Sequence, residues 1–326
     1  MKKLAIRIKK RLKITWQDFQ NDCRFSFYLA VIRFLESYAG LAHLKKLSSF
    51  FRHKREAWIL NYLSKALQNV IQSYKDQSFD GIYVENAPIW VCWWTGEESA
   101  PSLVKQCVKS IRKNAGTHPV HFISKNNYRK YVDIPDFILR KLESGQMCVA
   151  HFSDYLRFSL LQKYGGLWLD ATMFVSQPLP KSYFERPLFT CKSDIKNSGY
   201  ISQYRWTVFC FCGWKNNAFF TYVQKSLEAY WKNNETAIDY LFLDYVIDIA
   251  YDSVPYIKNA LDAVPFNNLH RDDLQAAMNA AVPWKDFDQV VRPDTVLYKL
   301  SWREYYSKTT SAGDKSIYAG FLDFTL

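Results

Sequence analysis

Apolar residues recur at helical spacing through residues 1–80. Leu4, Ile8, Leu12, Trp16 and Phe19 line one side of a segment over 1–20, and Lys2, Lys3, Arg7, Lys9, Lys10, Arg11 and Lys13 crowd the rest. That pattern predicts a basic amphipathic helix. Residues 23–38 predict a more apolar helix. Ile59, Leu63, Leu67, Val70, Ile71 and Tyr74 mark another over 56–76. The pattern changes after the turn-forming residues Asp80-Gly81 and Asn86-Ala87-Pro88. From residue 88 short apolar runs alternate with helical segments. Strands are predicted at 89–93, 120–123, 188–191 and 206–211, and helices at 101–113, 218–231 and 237–251. This alternation predicts an α/β fold with a mostly parallel sheet flanked by helices, behind an N-terminal helical region. The predicted boundary separates a basic helical region, 1–85, from an α/β domain, 86–326.

The stretch from Ser153 to Asp170 carries the densest information. Tyr155, Phe158 and Leu161 fall at helical spacing, and Leu156 and Leu160 widen the stripe. Ser153 fits an N-cap and Gly165-Gly166 a helix stop. Leu167-Trp168-Leu169 then predicts a short buried strand ending on Asp170. Asp154 and Arg157, three apart, share one helix face. Ligands bind open α/β sheets at the carboxyl ends of the strands, where Asp170 falls. Two carboxylates and a guanidinium are thus expected around one cleft. His151 reads as structural, and Asp239 and Asp244 as solvated helix positions.

Composition narrows the class. A chain of 326 residues, 48% hydrophobic and 17% aromatic, is not disordered. No uninterrupted apolar run reaches the roughly 18 residues that predict a membrane span. The basic start lacks the apolar core and cleavage site of a secretory signal. Seven scattered cysteines without a CxxC pair read as reduced thiols of a cytoplasmic protein, and no zinc site is expected. Neither a Ser/His/Asp order nor a Walker-type glycine loop is present, which leaves hydrolase and P-loop readings without support.

The net charge of +12 is concentrated at one end. Residues 1–75 hold 16 Lys and Arg against 4 Asp and Glu, and the remainder balances. No nucleic-acid recognition motif accompanies the excess, so nucleic acid is not an expected partner. Basic residues interleaved with apolar ones suit an interfacial helix on an anionic membrane surface, where each contributes about 1 kcal/mol before screening.

Ser153-Asp154-Tyr155-Leu156-Arg157 followed by Tyr164-Gly165-Gly166-Leu167-Trp168-Leu169-Asp170-Ala171-Thr172 resembles the sugar-nucleotide site of glycosyltransferases with a DxD-type motif. The groups it is similar to are the yeast initiating mannosyltransferases, bacterial capsular polysaccharide synthesis proteins and, more distantly, the large clostridial glucosylating toxins. The capsular group is nearest. The likeness takes in Ile89-Trp90-Val91-Cys92-Trp93-Trp94-Thr95-Gly96 and extends weakly to Asp239 through Tyr245 and to Lys299-Leu300-Ser301-Trp302.

The resemblance implies a GT-A, Rossmann-like fold over residues 86–326, a nucleotide-sugar donor (a UDP-hexose before a GDP-hexose), Mn²⁺ or Mg²⁺, and retaining transfer. It implies that Trp93 stacks on the base, with Trp90 and Trp94 as competitors. Asp154, Arg157 and Asp170 would be the catalytic group, the first two touching the donor sugar and its phosphate side. Trp168, Ser301 and Trp302 would complete the nucleotide-sugar site. The metal would fall to Asp170 and Thr172, where a hydroxyl replaces the second carboxylate of the motif. The acceptor would be a lipid-linked capsular or exopolysaccharide glycan, with the enzyme peripheral on the inner face of the cell membrane. The alternative is a catalytically silent nucleotide-sugar or carbohydrate-binding scaffold. The chemistry asks for the same residue types: a departing diphosphate needs cations or a hard metal ion, sugar hydroxyls suit carboxylates and guanidinium forks, and a base suits an aromatic face.

Overall fold

A computed structural model describes residues 16–195 and 199–323. Most of the predicted basic helix, residues 1–15, lies outside the described residues. From residue 16 to residue 74 the chain is mostly helical. Helix α1 occupies 16–23 within the described residues, then come α2 (Phe27–Leu41), α3 (Lys45–Ala66) and α4 (Gln68–Tyr74). The second helix starts later than the apolar pattern implies. Ser26 caps it, its hydroxyl accepting from the Tyr28 N–H at 3.1 Å, which ends the previous helix at residue 23. The predicted 56–76 helix is two helices that meet at Leu67.

Beyond residue 88 the elements are β1 (Ile89–Cys92), α5 (Ser102–Asn114), β2 (Val120–Ile123), α6 (Asp136–Glu143), α7 (Val149–Tyr164), β3 (Gly166–Asp170), β4 (Met173–Val175), β5 (Leu188–Thr190) and β6 (Cys210–Gly213). The chain continues through α8 (Ala218–Asn233), α9 (Phe242–Ser253), α10 (Pro255–Asp262), α11 (Asp273–Asn279), α12 (Phe287–Val290), β7 (Leu297–Lys299) and α13 (Ile317–Asp323). The central sheet has the order β2-β1-β3-β6-β5. β1 runs parallel to β2 and β3, and β6 is antiparallel to both its neighbours. The sheet is therefore mixed and mostly parallel. A second sheet pairs β4 with β7, antiparallel.

Side-chain alternation explains the layering. Trp90, Trp168 and Phe211 are register neighbours across β1, β3 and β6, and they pack with helices α7, α8 and α9. Ile89, Val91, Leu167, Leu169, Cys210 and Cys212 point the other way, against α5. Four of the seven cysteines are buried fillers, Cys107, Cys191, Cys210 and Cys212. The N-terminal helices are not a loose appendage. Leu29, Ile59, Leu63 and Leu67 belong to the same apolar cluster as Tyr230 and Val246.

Several sequence expectations shift. α7 begins at Val149 rather than at Ser153, and Cys148 is its N-cap residue. Phe152 supplies the reason: it is fully buried against Trp94, with ring centroids 4.8 Å apart, so burial extends the helix one turn upstream. The strand expected over 206–211 is Cys210–Gly213, because Trp206 and Thr207 are anchored sideways to Asp244 and Thr190. The helix expected from 237 starts at Phe242, since the Asp239 carboxylate folds the preceding turn by accepting from the Leu241 N–H.

Gly165 and Gly166 carry φ of 68° and 91°. A Cβ on Gly166 would lie 2.0 Å from the Pro88 carbonyl oxygen, and one on Gly165 2.7 Å from the Lys215 nitrogen. Both positions combine a left-handed φ with close backbone approach, so the helix can turn straight into β3 only with glycine at both.

Candidate active site

A cleft of about 520 Å³ opens at the carboxyl ends of β1 and β3. Cys92 and Asp170 are register partners there. The cleft is lined by Trp93, Asp154, Arg157, Trp168, Asp170, Thr172, Ser301 and Trp302, the residues to which the resemblance gave a catalytic, donor or metal role, and not by Trp90, Trp94 or Asp239. Lys299, Arg303, Tyr240, Asp244, Asp272 and Gln275 also line it.

Arg157 is the hub. Its guanidinium is buried, 3.1 Å from Asp154 Oδ1 and 3.3 Å from Asp170 Oδ1. It lies over the Trp168 ring at 4.9 Å. The contact to Asp154 is a close ion pair short of hydrogen-bond linearity. Nη1 is thus paired with Asp154 and Nη2 with Asp170, and among the described residues Nε has neither a hydrogen-bond nor an ion-pair partner.

Asp170 is held from several sides. Trp168 Nε1 donates to its Oδ1 at 3.1 Å, and Lys299 Nζ lies 3.4 Å from Oδ2. Burial pushes its acidity towards the neutral form. Lys299 and then Arg157 outweigh that, so the carboxyl sits below its ordinary range. Asp154 goes the other way: burial raises it, and Arg157 only partly compensates. Trp168 is itself buried; its indole N–H holds Asp170 and Arg157 lies over its ring.

Trp93 is half-buried and meets Trp302 edge-to-face, centroids 5.4 Å apart. Trp302 is 44% exposed. The competing tryptophans are committed elsewhere. Trp90 is buried and donates to the Gly165 carbonyl, and Trp94 packs on Phe152 and Tyr128. Ser301 Oγ accepts from the Arg303 N–H at 3.3 Å. His151 faces Cys148 Sγ and the Tyr240 carbonyl, each at 3.3 Å, so both ring nitrogens have structural partners.

Asp239 and Asp244 are not solvated. Asp239 pairs with Arg33 and Arg55 at 3.1 and 2.6 Å, which ties α2 and α3 to the turn carrying Tyr240. Asp244 accepts from Trp206 Nε1 at 2.8 Å. Burial pushes its carboxyl up to about 7; the Trp206 hydrogen bond opposes this and Asp154 adds to it.

Lys299 is a residue that motif reading missed. β7 pairs with β4, with Met173 opposite Lys299, and the Leu300 N–H donates to the Thr172 carbonyl at 3.0 Å. That pairing brings Lys299 Nζ to 2.6 Å from Thr172 Oγ1. The residues expected to hold Mn²⁺ or Mg²⁺ therefore do not fit such an ion. Hard cations take several open oxygen ligands. Here the Thr172 hydroxyl accepts from an ammonium, and both Asp170 oxygens face cations or N–H groups. Among the described residues no cluster of three or more His, Cys, Asp or Glu is placed to hold a metal.

The sequence is similar to known proteins. The family model described as capsular polysaccharide synthesis protein matches residues 41–320. That span includes α3 and every strand of both sheets. An O-glycosyltransferase, PaGT, from Phomopsis amygdali is 28% identical over 120 residues, a match that spans 31% of this chain and 30% of that protein.

Proposed function

The chain belongs to the capsular polysaccharide synthesis protein family, and from that premise we propose that it is a glycosyltransferase that moves a hexose from a nucleotide sugar, a UDP-hexose before a GDP-hexose, to a glycan acceptor. The observation that carries this reading is the convergence of Asp154, Arg157 and Asp170 with Trp93 in one cleft at the carboxyl ends of parallel strands. The likeness to an O-glycosyltransferase supports the same reading.

In this reaction the bond from the sugar's anomeric carbon to the diphosphate oxygen breaks, and its electron pair leaves on the phosphate. The acceptor hydroxyl oxygen forms the new bond to that carbon. Its proton leaves to an oxygen of the departing diphosphate, and the anomeric configuration is retained. Trp93 and Trp302 provide aromatic surface for the base. Arg157 brings a guanidinium to the cleft lining for phosphate or sugar oxygens, and Asp154 can accept from sugar hydroxyls. Asp170 fixes the two cations beside it.

The acceptor in this reading is a lipid-linked capsular or exopolysaccharide glycan, and the enzyme lies peripherally on the inner face of the membrane. No helix among the described residues is long and apolar enough to cross a membrane. The N-terminal helices carry the support for surface docking. Trp16, Phe27, Tyr38 and Phe50 are 59%, 70%, 63% and 53% exposed. Phe19 joins Trp16, Phe27 and Phe34 in one aromatic cluster. Asp22, Glu36 and Glu56 are taken up by ion pairs with Arg33, Arg55 and Arg52, while Arg24, Lys45, Lys46 and Lys54 stay exposed. Apolar and cationic groups side by side suit an anionic bilayer.

The test is turnover. Purified protein is incubated with a panel of UDP- and GDP-hexoses, and release of nucleoside diphosphate is followed with and without glycan acceptors. Release from one donor supports the reading. Tight nucleotide-sugar binding with no release under any condition would support a silent scaffold instead.

A further inference from the structure

We propose that Lys299 takes the place of a divalent metal ion in this site, so that the donor's diphosphate is neutralised by side chains rather than by Mn²⁺ or Mg²⁺. The proposal rests on the glycosyltransferase reading and deepens it. Its first support is position. Lys299 Nζ stands 2.6 Å from Thr172 Oγ1 and 3.4 Å from Asp170 Oδ2, against both groups that a DxD-type site would turn towards a metal. A dication there would share its ligands with an ammonium and be repelled by it. The other Asp170 oxygen is already engaged by Arg157 Nη2 and Trp168 Nε1.

The second support is anchoring. The Lys299 backbone is fixed on both sides, by strand pairing to Met173 and by its own N–H donating to the Arg271 carbonyl at 2.8 Å. Its ammonium also lies 5.5 Å from the centre of the Phe209 ring. An ammonium so placed is preorganised and needs no reorganisation as charge develops. The third is the charge set. Arg157 brings a buried guanidinium to the cleft lining, and Arg303 stands at the rim beside Trp302. A nucleotide sugar brings two negative charges on its diphosphate. When the glycosidic bond breaks, the electron pair adds a third on the leaving group. Lys299, Arg157 and Arg303 bring three positive charges to that set; Asp170 and Asp154 offset part of them, so the side chains lower the charge of the leaving group rather than cancel it. Thr172 fits the same scheme. A hydroxyl there accepts from Lys299 and aims it, whereas a second carboxylate would add a negative charge that a monovalent cation could not offset.

The experiment is calorimetric titration of UDP and of GDP into the full-length protein, in EDTA and in Mn²⁺. The inference expects wild-type affinity for one nucleotide to agree within about threefold between the two buffers. It expects Lys299→Met, which keeps an apolar stem of similar length, to weaken binding in EDTA at least tenfold, and Lys299→Arg to keep most of it. The double variant Lys299→Ala with Thr172→Asp should bind in Mn²⁺ far better than in EDTA. Wild-type binding that requires Mn²⁺ overturns the inference and leaves the glycosyltransferase reading standing. Unchanged affinity in a folded Lys299→Met protein also overturns it. Failure of both nucleotides to bind in either buffer overturns the inference and the reading together. The wild-type comparison needs no variant to fold.

Discussion

Trp206 donates its indole N–H to Asp244 across 2.8 Å of buried space, yet this bond does not keep Asp244 ionised at low pH. Burial dominates and holds the carboxyl near 7, against 3.8 for the ordinary group. In the folded protein Asp244 therefore binds its proton more tightly than in the unfolded chain. Stability from this residue is present below pH 4 and is lost as pH rises towards 7 and above. Asp244→Asn keeps an acceptor for Trp206 and removes the titration. The variant should melt higher than wild type at pH 8, with the gap narrowing as pH falls below 7 and closing only below about pH 4, a difference on the order of a few kcal/mol at pH 8. Thermal melts of both proteins from pH 5 to 9 check it, and parallel curves would show that Asp244 does not titrate in this range.

Asp170 has the opposite sign. Its acidity is held below the ordinary range by Lys299 and Arg157 against burial. Asp170→Asn should leave the fold intact and cut transfer by roughly 10²–10³-fold, the usual cost of one preorganised electrostatic contact. Turnover and circular dichroism are read on the same sample. A folded variant within twofold of wild type would remove Asp170 from the catalytic group.

Trp93 and Trp302 should divide from Trp90 and Trp94 in their effects. Base–aromatic stacking is worth roughly 1–3 kcal/mol, so Trp93→Ala is expected to weaken UDP or GDP binding by about 5- to 150-fold. Trp302→Ala is expected to have a smaller effect. Trp90→Ala should instead cost stability, on the order of 3–5 kcal/mol, because its ring is fully buried. Calorimetry and urea unfolding on the three variants separate binding loss from core loss.

Asp239 faces two guanidiniums that belong to the N-terminal helices. Asp239→Ala leaves Arg33 and Arg55 without that partner, although Asp22 and Glu36 still pair with them. The expected cost is about 3 kcal/mol, the low end for a broken buried pair. Urea unfolding gives the value. Loss of nucleotide affinity in the same variant would show that the helices also brace the turn carrying Tyr240.

The exposed aromatic residues of α1 to α3 predict binding to anionic vesicles. Replacing Phe27, Tyr38 and Phe50 together with Ser should lower co-sedimentation several-fold and leave nucleotide binding unchanged. Raising salt should weaken the wild-type interaction only in part, because the charges are screened while the apolar contacts are not. Equal sedimentation of variant and wild type would discard docking by these residues.

The site was most readable where its logic is local. Gly165-Gly166 announces a helix that must turn into a strand, and Asp154, Arg157 and Asp170 sit within one helix and the next strand. Ser153 misled because a cap is a local preference, and the burial of Phe152 overrode it. Asp239 and Asp244 read as solvated because their partners, Arg33, Arg55 and Trp206, come from distant parts of the chain. Lys299 stayed hidden for a similar reason. Met173–Val175 and Leu297–Lys299 are too short for periodicity to register, and only their pairing brings the lysine to Thr172.

The same strand pairing bears on how the protein matures. By the time residue 213 leaves the ribosome, every strand of the five-stranded sheet has been made, and the helix carrying Asp154 and Arg157 with it. The two-stranded sheet waits for residues 297–299. Helices α8 and α9, which cover Trp90, Trp168 and Phe211, come after residue 213, and Asp170 and Thr172 gain their ammonium only with β7. On the proposed reading the cations of the cleft are complete only once residues 297–303 have been made, so a chain that ends before them is expected to lose nucleotide binding.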